Sequence, residues 1–438
     1  MGAGSLTILY SNENTLFCMN PQITYFKSVF RKYTKFVMTD YHHTISENKF
    51  SNNNNDISFN HPTLGDLLAQ VSVQIDLDET ADKSWDKFPN NIGTALFKNI
   101  LFKYDNNEIE NVSSEYINFT SMLNNSKSFN SIYDIVEKEL VCNNGNNYQR
   151  MALSGGVFTP NSMFGATPST AIDKMKAIVP IPFSFSKNVG SAFPLFLLTK
   201  NDVNILLQPN PFDGLFHTDA TKNDAIPELF KFSLIYKYIY LSEDERNRFK
   251  SSPQEYLVEK VKFSDTIRLN QDVKIDFRSV VPNLPVKCIY LVNKSKDDNK
   301  STQLYNNYKY QFFIRGVNLQ QQSLPHEYYS KLNIIENFKG CVYDKWDQDS
   351  LLTAKTVPSI NSNIAYIPLN LKNAEGPSGC INTGTNEFRM EVTFQPNEAE
   401  IGHPGYDVEH TDIYIYLVYY SIMRISENKH LSFPYGNN

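Results

Sequence analysis

Short segments in which apolar and polar residues alternate recur from one end of this chain to the other, and a period of two commits them to sheet. In residues 71–77, Val71, Val73, Ile75 and Leu77 alternate with Ser72, Gln74 and Asp76. Residues 387–394 repeat the pattern, with Phe388, Met390, Val392 and Phe394 set between Glu387, Arg389, Glu391 and Thr393. Two longer stretches, 229–241 and 413–425, are apolar on both faces, as strands packed between two layers are. Phe and Tyr, 30 and 26 against 2 Trp, suit a pleated and half-buried surface. The 21 Pro and 18 Gly are spread along the chain and punctuate short segments. These features predict an all-β fold of sandwiches or barrels.

At 438 residues the chain exceeds one hydrophobic core and suits two domains of ~200 residues each. Residues 209–224, with Pro209, Pro211 and Gly214 and little strand pattern, read as the linker. They divide the chain into an arm and helix over 1–36, a first domain over 37–212 and a second over 213–438. The halves share a strand-rich texture without a convincing residue-by-residue alignment, so duplication is an inference here.

Two segments read as helix. Over residues 20–36, Asn20 can cap, Pro21 fits the first helical position, and Ile23, Phe26, Phe30 and Tyr33 share one face. Lys27, Arg31, Lys32 and Lys35 add a basic side. Near 242–250, Ser242 and Glu245 have capping-box spacing. Residues 51–56, 143–147 and 294–307 read as polar loop tips, and 106–176 as a long, weakly patterned excursion.

Motifs for chemistry are missing from this pattern. There is no phosphate-binding glycine loop, HExxH helix or Gly-x-Ser-x-Gly elbow. Net charge is −6 with no basic block, which argues against direct nucleic-acid binding. Cys18, Cys142, Cys288, Cys341 and Cys380 are far apart, so free thiols in a reducing compartment are expected, with no metal and no cofactor. His42 and His43, adjacent on a strand, point to opposite faces. The acidic cluster Asp344, Asp347 and Asp349 lacks the Gly and closing Glu of a calcium loop and reads as a solvated turn. His403, Glu409 and His410 form a weak candidate ligand set. Neither a secretory signal nor an 18-residue apolar run is present.

The segment 20–36 carries more information than its amphipathicity. Asn20, Pro21, Gln22, Thr24, Phe26 and Lys27, followed by Arg31, Thr34 and Phe36, resemble the N-terminal signature of the major capsid proteins of nucleocytoplasmic large DNA viruses. Further motifs follow in that family's order. They are Leu64-Gly65-Asp66-Leu67-Leu68, Asn107-Glu108-Ile109-Glu110, Ser114-Glu115-Tyr116 and Ile181-Pro182-Phe183-Ser184-Phe185 with Ala192-Phe193-Pro194-Leu195. After them come Asp244-Glu245-Arg246-Asn247-Arg248-Phe249, Glu255-Tyr256-Leu257-Val258-Glu259, Asn283-Leu284-Pro285-Val286-Lys287 and Pro377-Ser378-Gly379-Cys380-Ile381-Asn382. The chain departs from the family at Asn106-Asn107, where Gly-Gly is usual, at Tyr116, where Trp is usual, and at 426–429, where a Gly-rich run is usual.

The resemblance implies a double jelly roll, two eight-stranded antiparallel β-barrels with a short N-terminal amphipathic helix. It implies a non-enzymatic shell subunit, three copies of which form a pseudo-hexagonal capsomer in the virion of a large DNA virus assembled in the host cytoplasm. Implied partners are neighbouring capsomers, minor capsid proteins and the inner viral membrane. The N-terminal helix is then a docking element, with Asn20, Pro21, Gln22, Thr24, Phe26, Lys27, Phe30, Arg31, Lys32, Thr34, Lys35 and Phe36 as its residues. Two other readings stay open: a minor or scaffolding double jelly-roll protein, and a jelly-roll glycan-binding protein.

Overall fold

The computed structural model describes residues 26, 32–44, 56–61, 64–77, 96–124, 175–198, 203–210, 230–268, 273–277, 283–295, 308–326, 328–338, 364–371, 378–384, 387–394, 411–426 and 431–433. Residues 1–36 form one unit and 37–438 another.

The alternating segments are strands. In chain order these are β1 (Phe36–Thr44), β2 (Ile57–Asn60), β3 (Leu67–Leu77), β4 (Phe97–Tyr104), β5 (Asn107–Ser113), β6 (Met175–Pro180), β7 (Phe193–Pro194), β8 (Val203–Pro209) and β9 (Phe230–Leu241). Then come β10 (Gln254–Arg268), β11 (Val273–Asp276), β12 (Pro285–Ser295), β13 (Tyr308–Ile314), β14 (Val317–Asn318), β15 (Leu324–Pro325) and β16 (Ile364–Pro368). The last are β17 (Ile381–Asn382), β18 (Phe388–Phe394), β19 (Thr411–Ile425) and β20 (Leu431–Ser432). Among the described residues three α-helices interrupt them: α1 (Ser114–Asn124), α2 (Glu243–Lys250) and α3 (Asn333–Asn337).

Sheet order reveals the duplication. The first barrel pairs its strands as β1-β9-β3-β6 and β2-β8-β4-β5, and the second as β10-β19-β12-β16 and β11-β18-β13-β14. Each half thus runs first–last–third–sixth in one sheet and second–seventh–fourth–fifth in the other, if the short β7, β15, β17 and β20 are set aside. That is the order of a jelly roll, present twice. The predicted alternation holds within it. Val71, Val73 and Ile75 of β3 are wholly buried, as are Phe388, Met390 and Val392 of β18.

The change of barrel falls later than the pattern suggests. β9 pairs with β3 from Leu67↔Ile239 to Leu77↔Phe230, so it closes the first barrel and does not open a second domain at 213. The passage between barrels is α2 and its flanks, residues 242–253. An apolar strand does not name its partner, and the Pro-rich stretch at 209–224 is a connection within the first barrel. At α2, Ser242 is the cap residue by position, but its side chain makes no cap bond. Glu245 pairs with Arg248 at 3.4 Å, so the predicted capping box does not form. Helix α1 was not anticipated, because its apolar stripe sits inside the weakly patterned 106–176 region.

Candidate functional site: the seam between the barrels

The motifs singled out in the sequence converge on the seam that joins the two barrels. Strand β19 builds it by being apolar on both faces. Ile413, Ile415, Leu417 and Tyr419 point into the second barrel's own core. Tyr416 and Val418 point the other way, into the cluster that includes the first barrel's core, which Met423 and Ile425 also join near the end of the strand. Cys288 and Tyr290 of β12 and Tyr366 of β16 share that outer face.

The first barrel answers with α1. Its Ser114-Glu115-Tyr116 motif opens the helix where β5 ends, with the Tyr116 amide donating to Ser113 Oγ at 3.3 Å. Tyr116 and Phe119 are both 3% exposed. Phe119 lies 5.1 Å from the Tyr290 ring, 5.3 Å from Tyr416 and 5.2 Å, edge to face, from Tyr116. Aromatic pairs at these spacings add about 0.5–1.5 kcal/mol each beyond their buried area. The Tyr416 hydroxyl donates to Glu115 Oε2 at 2.6 Å, so the motif's acid and aromatic residue grip one strand together.

Polar groups flank this aromatic patch and are satisfied. Buried Glu110 accepts the Ser184 amide at 2.9 and 3.0 Å and its hydroxyl at 2.8 Å. Burial raises the Glu110 carboxyl above its usual range, and the Ser184 bonds pull the other way. Glu259 of β10 bridges the barrels, pairing with Lys187 at 3.3 Å and with Lys287. Burial opposes its ionisation, but Lys187 and Lys287 hold its carboxyl below the usual range. Lys260 is buried under the Phe433 ring at 3.6 Å, and burial pulls its ammonium down to about 8. Cys288 is a free thiol that burial pushes up to about 12, which leaves it a weak nucleophile.

The Leu64–Leu68 motif secures the other end. Asp66 accepts the Leu241 amide at 2.8 Å and lies 3.3 Å from Arg246 of α2, so it clamps the interbarrel passage. Gly65 has φ +73°, and a Cβ there would lie 2.7 Å from Tyr238, which excludes any side chain.

The predicted docking residues fall elsewhere. Asn20, Pro21, Gln22, Thr24, Lys27, Phe30 and Arg31 lie outside the described residues. Phe26, Lys32, Thr34, Lys35 and Phe36 are exposed. Residues 32–35 are not helical and Phe36 already opens β1, so the helix predicted over 20–36 does not reach its expected end. The run Phe36-Val37-Met38-Thr39 favours strand, with an aromatic and two β-branched side chains. His42 and His43 do diverge: His42 Nε2 is 3.0 Å from Ser233 Oγ, and the His43 ring lies edge to face with Phe59 and tilted against Tyr236. The clusters at Asp344–Asp349 and His403–His410 lie outside the described residues. Among the described residues no group of three His, Cys, Asp or Glu is placed to hold a metal ion, and no helix is long and apolar enough to cross a membrane.

The fold agrees with known proteins. Residues 24–241 match the family described as major capsid protein N-terminus, and the match closes on the last residue of β9. The chain belongs to the major capsid protein family of large DNA viruses. The major capsid protein of Pyramimonas orientalis virus is 25% identical over 300 residues, 68% of this chain and 67% of that protein. That of Paramecium bursaria Chlorella virus 1 is 23% identical over 290 residues, 63% of this chain and 58% of that one. The quasi-atomic structure of the PBCV-1 virus capsid matches 94% of this chain and 100% of its own, at TM-score 0.65 and 15% identity. The fold is a double jelly roll.

Two of the three departures from the capsid motifs have a local account. Asn106 takes φ of 63° in the β4–β5 turn, a left-handed conformation that Asn tolerates where glycine is usual, whereas Asn107 already belongs to β5. Tyr116 replaces the usual Trp with a smaller ring, and Phe119, Tyr290 and Tyr416 close around it. The motif Ser114-Glu115-Tyr116 and the two-faced 413–425 were the legible traces of this seam. Tyr290 and Phe119 left no trace of their own.

Proposed function

We propose that this chain is a non-enzymatic shell subunit, three copies of which close into a pseudo-hexagonal capsomer that tiles the icosahedral capsid of a large DNA virus. The observation that carries this reading is the pair of like barrels fixed side by side through a buried seam. Six like barrels from three chains approximate a hexagon, and hexagons tile a shell. Flat barrel sides then meet neighbouring capsomers, with aromatic and apolar centres and polar rims. Light scattering on the purified protein should give a stable trimer that assembles further, and a persistent monomer would overturn the reading.

The N-terminal segment supplies the second part of the proposal. Its exposed Phe26, Lys32 and Lys35 support a docking role toward minor capsid proteins or the inner membrane. Basic residues near an anionic surface contribute about 1 kcal/mol each. Replacing Lys27, Arg31, Lys32 and Lys35 by Gln should leave trimer melting unchanged and reduce incorporation per folded trimer. Lower melting with normal incorporation would assign the segment to folding alone.

A further inference from the structure

Each barrel carries a tyrosine preceded by glutamate just after corresponding strands, but only the first barrel's tyrosine is buried within the chain. In the first barrel, β5 runs back along β4 from the turn at Asp105–Asn106, with Tyr104 opposite Asn107 and Asn99 opposite Ser113. In the second, β14 and β15 run back along β13 from the turn at Arg315–Gly316, with Ile314 opposite Val317 and Lys309 opposite Pro325. Counted back from the turns, Lys309 corresponds to Asn99, and so its partner Pro325 corresponds to Ser113. Three residues beyond each lies a tyrosine preceded by glutamate: Glu115-Tyr116 and Glu327-Tyr328. The first tyrosine is buried in the seam at 3% exposure, whereas Tyr328, on a π-helical turn, is 39% exposed. Leu332, on the same turn, is 46% exposed.

The receiving faces correspond as well. Strands β3 and β9 carry a register shift between Leu68↔Tyr238 and Gln70↔Lys237, and β12 and β19 carry one between Val286↔Tyr419 and Cys288↔Val418. Aligning the two bulges matches Tyr290 with Ser72 and Tyr416 with Ile235. Across the neighbouring strand, Tyr366 faces Tyr290 as Pro180 faces Ser72. In the second barrel this face is covered by α1. In the first barrel Pro180 is exposed, and Ser72 and Ile235 are only half-buried.

We infer that Tyr328 of one copy seats on the Ser72–Ile235–Pro180 face of the first barrel of a second copy, repeating between chains the step that Tyr116 makes within one. This deepens the shell-subunit reading and rests on it. The contact is heterologous, so the same step applied three times closes a ring. Its receiving face lacks the three tyrosines of the seam, so it buries less aromatic area and is the weaker of the two joints. Leu332 adds an apolar neighbour to the anchor.

The experiment compares self-association of the full chain with that of Tyr328→Ala and Ile235→Glu by sedimentation. Each variant should associate at least about tenfold more weakly while its subunit melting stays near that of the parent. Because a heterologous joint needs one intact tyrosine and one intact face from different chains, mixing the variants should restore pairs but not closed rings. Carrying both Tyr328→Cys and Ile235→Cys, the chain should form intermolecular disulfides under oxidation, which neither single-cysteine variant forms. A parent chain that never associates would overturn the shell-subunit reading itself. If the parent associates and both variants associate equally well, or the cysteine pair gives no cross-link, this assignment of the joint fails and that reading stands.

Discussion

The two barrels share a strand order and a bulge, yet the outer faces of their corresponding sheets differ in chemistry. In the second barrel that face presents Tyr290, Tyr366 and Tyr416, each no more than 6% exposed. The corresponding positions in the first barrel are Ser72, Pro180 and Ile235. A duplicated fold therefore need not duplicate its surfaces. One face has become a core between domains, which makes the two barrels fold and move as one body. The other carries no aromatic ring at these positions and stays partly exposed.

The largest test of this contrast is truncation on the two faces. Phe119→Ala should cost about 3–5 kcal/mol of unfolding free energy, because it empties a ring site enclosed by Tyr116, Tyr290 and Tyr416. Removing Ile235 from the corresponding first-barrel face should cost only about 1 kcal/mol in the unassembled chain. Urea unfolding of both variants checks the difference, and equal losses would break the comparison.

Acid should separate the barrels next. β2 ends at Asn60 and β11 at Asp276, and the following residue is His61 in one barrel and Phe277 in the other. His61 lies 2.7 Å from the Tyr238 hydroxyl, and burial, reinforced by His43, lowers its pKa from 6.5 to about 4. Above about pH 6.5 both folded and unfolded forms are neutral and nothing is lost. Between 6.5 and 4 the unfolded chain takes up a proton that the folded one resists, so stability falls with pH, by up to about 3 kcal/mol. Denaturant midpoints measured across that window should drop, and His61→Phe, which copies the second barrel, should flatten the slope. An unchanged slope in that variant would place the acid sensitivity elsewhere.

The smallest expected effect concerns the ionic part of the seam. Glu259 is partly solvated between Lys187 and Lys287, so Glu259→Gln should cost only about 1 kcal/mol near neutral pH. Its depressed carboxyl means that the loss is present above the usual carboxylate range and disappears as pH falls through it. A penalty as large as that of Phe119→Ala would make the seam electrostatic at root.

Much of this architecture is written in local pattern. Alternation in 71–77 and 387–394 depends only on neighbouring residues, because a pleated strand sends successive side chains to opposite faces. The two-faced run at 413–425 also announced, correctly, a strand between layers. Three features were beyond that logic. The length of the first barrel was misjudged because β9 carries no mark of which strand it will pair with. Ser242 has the right neighbour in Glu245 for a capping box, but the nearby Arg248 takes the carboxylate. Helix α1 hid its purpose because Tyr116 and Phe119 find their partners on β12 and β19, far along the chain.

By itself, then, the sequence determined the alternating strands and the family motifs, since each is a matter of spacing between near neighbours. Only the tertiary structure decided which apolar face became a seam and which remained a surface. Tyr116 and Tyr328 follow the same kind of strand with the same preceding glutamate, and no local rule tells them apart. Their difference arises because burial is a property of what lies opposite, and for Tyr116 that is the three-tyrosine face of its own chain.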